Sequence, residues 1–102
     1  MDPLAAFLKA NASSLNIRCC VISHISAYPS VVLPIAELTR LLRSYNIITI
    51  IDGAHAVGNI AIDVAAVDPD YYLGNMHKWF FSPKSAALLY ADLPIAAVIA
   101  SV

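Results

Sequence analysis

The chain has 102 residues, enough for one domain with a modest core; 60% of them are hydrophobic and only 13% charged. Soluble domains average roughly 45–50% apolar and about 25% charged, so three explanations compete: a membrane protein, an obligate oligomer, or a strand-rich core that belongs to a larger fold, which the pattern below favours. Net charge is −1 with six basic residues scattered along the chain, which leaves no electrostatic footprint for nucleic acid.

A bilayer span needs about 18 apolar residues in a row. The run at 31–51 is interrupted by Glu37, Arg40 and Arg43, and the stretch 93–102 with 85–91 before it is broken by Asp92 and Pro94, so no membrane segment is expected. The N-terminus lacks a basic region followed by an apolar stretch and a small-residue cleavage site, so secretion is unsupported. Cys19 and Cys20 are adjacent, and on a strand neighbouring side chains point to opposite faces. They read as buried, reduced thiols of a cytoplasmic protein. Asn11-Ala12-Ser13 matches the glycosylation tripeptide, which means nothing without a secretion signal.

In chain order, residues 4–15 read as a helix that ends in the polar cluster 11–14. Residues 17–25 are apolar and β-branched apart from Arg18, Ser23 and His24, as suits a strand covered on both faces. Pro29 and Ser30 punctuate a loop, and Pro34 stands where a helix begins, its missing N–H costing nothing there. Ile35, Leu38, Leu41, Leu42 and Tyr45 repeat at helical spacing with Glu37, Arg40, Arg43 and Ser44 opposite. Asn46 caps that helix. Residues 47–51 form a second strand that stops at Asp52-Gly53. Residues 64–67 suit a short helical turn capped by Asp63. Residues 70–73 read as a third strand running into a polar turn, Gly74-Asn75, and 86–90 as a fourth. The β-α-β-α-β order predicts an α/β fold, a mainly parallel sheet with helices on both faces.

In such sheets ligands bind beyond the carboxyl ends of the strands. Three polar clusters fall there: Ser23-His24-Ile25-Ser26, Asp52-Gly53-Ala54-His55 and Asn75-Met76-His77-Lys78. A carboxylate, three imidazoles and an amine thus converge on one edge of an apolar sheet, where unpaired charge is expensive. From pattern alone they are either a site or a set of capping and loop residues with Asp52 and Lys78 paired. His24, His55 and His77 lack zinc-site spacing. Residues 74–78 lack the glycine-rich P-loop pattern, and no Gly-x-Ser-x-Gly elbow is present.

Ile51-Asp52-Gly53-Ala54-His55-Ala56-Val57-Gly58, followed by Asp70-Tyr71-Tyr72-Leu73-Gly74-Asn75-Met76-His77-Lys78-Trp79, resembles the class V aminotransferase family of fold-type I pyridoxal 5′-phosphate (PLP) enzymes. The resemblance covers about residues 22–90, with two separated motifs in the right order on the right elements. Residues 24–32 and 77–83 are most similar to the isopenicillin N epimerase-like subgroup that holds cysteine desulfhydrases and hercynylcysteine sulfoxide lyases. The implied fold is part of the large domain of the PLP-dependent transferase (aspartate aminotransferase-like) architecture.

The resemblance implies roles residue by residue. Lys78 matches the lysine that carries PLP as a Schiff base and shuttles the Cα proton. Asp52 matches the aspartate that keeps the pyridine nitrogen protonated. His55 stands where desulfurases carry glutamine, facing the phenolic oxygen. His77 and Asn75 match residues that contact the phosphate. His24 and Ser26 are weak candidates. Ala27 replaces a polar residue, which puts a cofactor contact there in doubt, and Trp79, Phe80 and Phe81 read as packing.

Relatives are several times longer: upstream residues that cradle the phosphate and stack on the ring, and a downstream domain that clamps the substrate carboxylate, have no counterpart in these residues. Residues 91–102 depart from the family's usual continuation. The chain, 1–102, is therefore expected to be part of the large domain, from a family whose full-length members form homodimers. The implied activity is C–S bond cleavage in cysteine or a cysteine-like substrate. Epimerisation or transamination with the same anchors is the alternative, and a catalytically inactive truncated piece is the reading of another class.

Overall fold

The computed structural model describes residues 2–92, so the apolar stretch at 93–102 lies outside the described residues. Seven elements follow one another there: α1 (Asp2–Asn11), β1 (Cys19–Ser23), α2 (Ile35–Ser44), β2 (Ile48–Asp52), α3 (Val64–Val67), β3 (Tyr71–Asn75) and β4 (Ala87–Ala91). Among the described residues no helix is long and apolar enough to cross a membrane.

Local chemistry sets most of the boundaries. α1 stops at Asn11, short of the expected end at 15, because the polar cluster bonds to its own backbone: Asn11 Nδ2 donates to the Phe7 carbonyl and Ser14 Oγ to that of Asn11. α2 begins after Pro34, whose carbonyl accepts from the N–H groups of Glu37 and Leu38. Past its end at Ser44, Asn46 takes the left-handed conformation at φ 57° and stops the helix. Asp63 caps α3 as expected, its Oδ1 accepting from the Ala66 N–H at 3.1 Å. Arg43 at the end of α2 donates to the carboxylate and the carbonyl of Asp68, which closes α3 in the left-handed conformation.

The strands lie in the order β1-β2-β3-β4, with the first three parallel and β4 antiparallel to β3. The predicted turn at Gly74-Asn75 is instead strand: Gly74 pairs with Leu88 and Asn75 with Ala87. Glycine is needed at 74 for space, since a Cβ there would lie 2.4 Å from Val57 Cγ2.

Side chains alternate across the sheet. Ile22, Ile51 and Tyr72 stand in one cross-strand row, packed with Ile35 of α2, Val57, and Val64 and Val67 of α3. Leu8 of α1, Leu42 of α2 and Ile47 form a second cluster against Cys20 and Ile22. All three helices therefore cover the same face. This corrects the expectation of helices on both faces, and with it the doubly covered β1: on the other face Cys19, Val21, Ile48, Leu73 and Leu89 are exposed. The cysteines are free thiols, Cys19 exposed and Cys20 partly so, not buried. Burial, and secondarily Cys19, pushes the Cys20 thiol pKa upward.

Candidate active site

Three parallel strands bring their carboxyl ends to one edge, where Ser23, Asp52 and Leu73 stand side by side. The backbone ladder continues one step past Asp52: the His24 N–H donates to the Asp52 carbonyl at 2.8 Å and the Gly53 N–H to the Leu73 carbonyl at 2.7 Å. Asp52 is thus held from both neighbouring strands. Its Oδ1 accepts from the Ala54 N–H at 2.9 Å, an aspartate turn that makes β2 stop abruptly, and Oδ2 has no protein hydrogen bond among the described residues. No Asp52–Lys78 ion pair forms either; among the described residues the ion pair is Arg43–Asp68.

Gly53 follows Asp52 directly and lies against Tyr72. A Cβ there would meet Cε1, Cζ and Oη of Tyr72 at 2.3–2.5 Å. The Tyr72 hydroxyl shares a 2.7 Å hydrogen bond with His24 Nδ1, and the two rings stand edge to face with centroids 5.9 Å apart. Burial, and then the Asp52 carboxylate, pushes the Tyr72 hydroxyl up to about 12, while burial lowers the His24 pKa. Both shifts favour the neutral forms, and the pair lies as a floor beneath the Asp52–Gly53 turn. His24 thereby takes a packing role, and Tyr72 joins the site from inside β3. The signal was there: a tyrosine inside a buried strand needs a partner for its hydroxyl.

Beyond β3, the turn 76–82 is closed by the Ser82 N–H donating to the Met76 carbonyl at 2.9 Å, and the Met76 N–H donates to the Ala86 carbonyl. His77 Nδ1 lies 3.1 Å from that same Ala86 carbonyl. A carbonyl only accepts, so Nδ1 carries the hydrogen. Lys78 is exposed at the head of the turn, and with His55, Trp79 and Phe81 it lines a cavity of about 360 Å³.

The structure therefore brings Lys78 and His55 together from different loops and sets Asp52 and Asn75 on adjacent strand ends. His77 is turned to Ala86 and does not line the Lys78 cavity. Ser26 shapes its own loop, bonding to the Pro29 carbonyl and accepting from the Val31 N–H. A neighbouring cavity of about 290 Å³ joins Ser26, Ala27 and Asn59 to His55 and Trp79. Trp79, Phe80 and Phe81, expected to pack, are exposed, because the described chain holds nothing to cover them. Trp79 makes one polar contact, Nε1 to His55 Nδ1 at 3.4 Å.

A family model described as aminotransferase class-V matches residues 8–96, beyond both ends of the stretch 22–90 that carried the resemblance. L-cysteine desulfhydrase of Arabidopsis thaliana is 39% identical over 83 residues, 80% of this chain and 18% of that protein. Hercynylcysteine sulfoxide lyase of Schizosaccharomyces pombe is 41% identical over 75 residues, 74% of this chain and 19% of that protein. The chain thus spans less than a fifth of the length of these curated relatives. Pyridoxamine-pyruvate aminotransferase from Mesorhizobium loti is similar in structure, with a TM-score of 0.80 at 18% identity over 94% of this chain and 24% of that one; at this identity the likeness is one of fold. The sheet order, the two strand-end motifs and the family match agree, and the chain belongs to the class-V aminotransferase family.

Proposed function

We propose that this chain supplies the cofactor-anchoring edge of a PLP-dependent lyase that breaks the C–S bond of cysteine or a cysteine derivative. The observation that carries the reading is the cavity shared by Lys78 and His55, beside a strand-end carboxylate with one oxygen uncommitted. The names of the two relatives supply the reaction class.

The donor set fits the cofactor. An amine suits its aldehyde, the Asp52 carboxylate its pyridinium N–H, an imidazole at His55 its phenolic oxygen, and the Asn75 amide its phosphate. His77 fits under one condition: with Nδ1–H committed to Ala86, Nε2 can donate to a phosphate only as the imidazolium. When bound, PLP supplies an electron sink for the pair released as a bond to the substrate Cα breaks. The chain's own part is to hold and move protons. Lys78 Nζ would be the group that takes the proton from the substrate Cα. Asp52 would hold the proton on the ring nitrogen, and the Ala54 N–H fixes that carboxylate's rotamer.

Incubation with PLP, borohydride reduction and peptide mapping test the anchor. The chain has three lysines, Lys9, Lys78 and Lys84, and label is expected on Lys78, with Lys78→Ala abolishing it. Label spread evenly over all three, or none, would overturn the reading in favour of an inactive chain. Product analysis on a protein carrying this segment tests the reaction: sulfide or a sulfenate with pyruvate is expected, and a racemised or transaminated product would replace the lyase by an epimerase or aminotransferase.

A further inference from the structure

His55 and Trp79 line both cavities at the site edge, the one with Lys78 and Phe81 and the one with Ser26 and Asn59. Their contact, Trp79 Nε1 to His55 Nδ1 at 3.4 Å, is therefore the partition between them. An indole N–H is a donor and never an acceptor. His55 Nδ1 must then present its lone pair, and a neutral imidazole so held carries its hydrogen on Nε2.

Two further features hold the pair in place. Asn59 Nδ2 donates to the His55 carbonyl at 3.0 Å, fixing that backbone. Gly58 has φ +81°, and a Cβ there would lie 2.7–2.8 Å from Phe80 N and from the Trp79 carbonyl carbon and oxygen. The absence of a side chain at 58 lets the lysine turn rest against the His55 loop, which delivers the indole to the imidazole. His77 on the same turn provides the contrast: its Nδ1 meets an acceptor, so its hydrogen is on Nδ1, the opposite tautomer to His55.

We infer that Trp79 is a positioning residue that locks His55 as the Nε2–H tautomer, so that His55 offers a donor to an anionic oxygen in the cavity it lines with Lys78. This deepens the cofactor reading above and rests on it for the identity of that oxygen, the phenolic oxygen of PLP. The tautomer itself does not depend on any cofactor.

The first test uses the 102-residue chain without cofactor. With only three histidines, long-range proton–nitrogen spectra of ¹⁵N-histidine-labelled protein at mildly alkaline pH resolve each ring. His55 is expected with Nδ1 unprotonated and Nε2 protonated, and His77 with the reverse. Trp79→Phe should move His55 toward a mixture of tautomers and leave His77 unchanged, and Gly58→Ala, which pushes the turn away, should do the same. A wild-type His55 already protonated on Nδ1 overturns the inference whether or not either variant folds, as does a His55 signature that Trp79→Phe leaves in place.

The second test uses PLP-loaded chain. Trp79→Phe should shift the visible absorption band while borohydride labelling of Lys78 persists. With His55→Gln, whose amide supplies a donor without help from the indole, the same substitution should no longer move the band. A band unmoved by Trp79→Phe in the His55 background overturns the contact with the phenolic oxygen. Failure of wild-type chain to label at Lys78 strikes the cofactor reading and not the tautomer, so the two failures are told apart.

Discussion

The covered face of the sheet carries Cys20, Ile22, Thr49, Ile51 and Tyr72, and the open face Cys19, Val21, Ile48, Ile50 and Leu73; the two sets are about equally apolar. Ile51 and Tyr72 are 0% and 1% exposed, whereas Val21 and Leu89 are 64% and 62% exposed. What separates the faces is the supply of helices: α1, α2 and α3 all pack on one side. Strands apolar on both sides are built to be covered twice, and residues 2–92 provide one cover. The site follows the same division. Tyr72 and His24 hold the Asp52 turn from the covered side, while Trp79, Phe80 and Phe81 stand exposed.

The largest expected effect tests that division directly. Ile51→Ala removes a fully buried side chain from the main cluster and should cost about 2–5 kcal/mol in denaturant unfolding. Val21→Ala, one position from Ile22 in the row of Ile51 and Tyr72 and so on the open face, should stay within about 0.5 kcal/mol. Equal costs would show that the open face is covered in solution.

A pH profile sharpens it next. Tyr72, buried and pushed up to about 12 from 10.0, contributes stability that is fully present below the ordinary tyrosine range. That contribution is lost as pH rises through the folded-state value, and it amounts to roughly 3 kcal/mol at about 1.4 kcal/mol per tenfold change. His24 is lowered by burial, so its contribution is present above the ordinary imidazole range and lost as pH falls. Stability measured against pH should decline on both arms, and Tyr72→Phe should flatten the alkaline one. An unchanged alkaline arm would remove Tyr72 from the floor of the site.

Gly53→Ala comes third. The added methyl meets an aromatic ring pinned by its bond to His24, which cannot swing away as a flexible side chain would. A cost of about 1–3 kcal/mol is expected, together with loss of the Tyr72–His24 hydrogen bond, read from the His24 ring-nitrogen shifts. The same substitution without a shift at His24 would place Tyr72 elsewhere.

How far these features were legible in the residues depends on how far apart their causes lie. The Asp63 cap, Asn46 at the end of α2 and Pro34 at its start are local, decided within four residues, and they stand where pattern reading puts them. The edge carrying Asp52, Asn75 and Lys78 was legible because parallel order follows from strand–helix alternation. Gly74-Asn75 was misread as a turn because its strand character comes from pairing with β4, and its glycine from Val57 seventeen positions back. The Tyr72–His24 bond spans 48 residues and the Trp79–His55 contact 24. No periodicity encodes such meetings. One-sided cover was invisible too, since an apolar run looks the same whether or not its second layer is present.

The smallest stability effect belongs to the open face and carries the most about its state. Leu89 lies across from Leu73 on β4, lining an apolar hollow with Ile48, Ile50 and Cys19. Leu89→Lys leaves the helix-covered clusters untouched, so the unfolding free energy should change by no more than about 0.5 kcal/mol. The charge interrupts an apolar surface of the kind that drives association between molecules, so the variant should sediment as a smaller species than wild type at equal concentration. A large loss of stability with unchanged sedimentation would mean that Leu89 is buried within a single molecule, and the open face would then be covered by the chain itself.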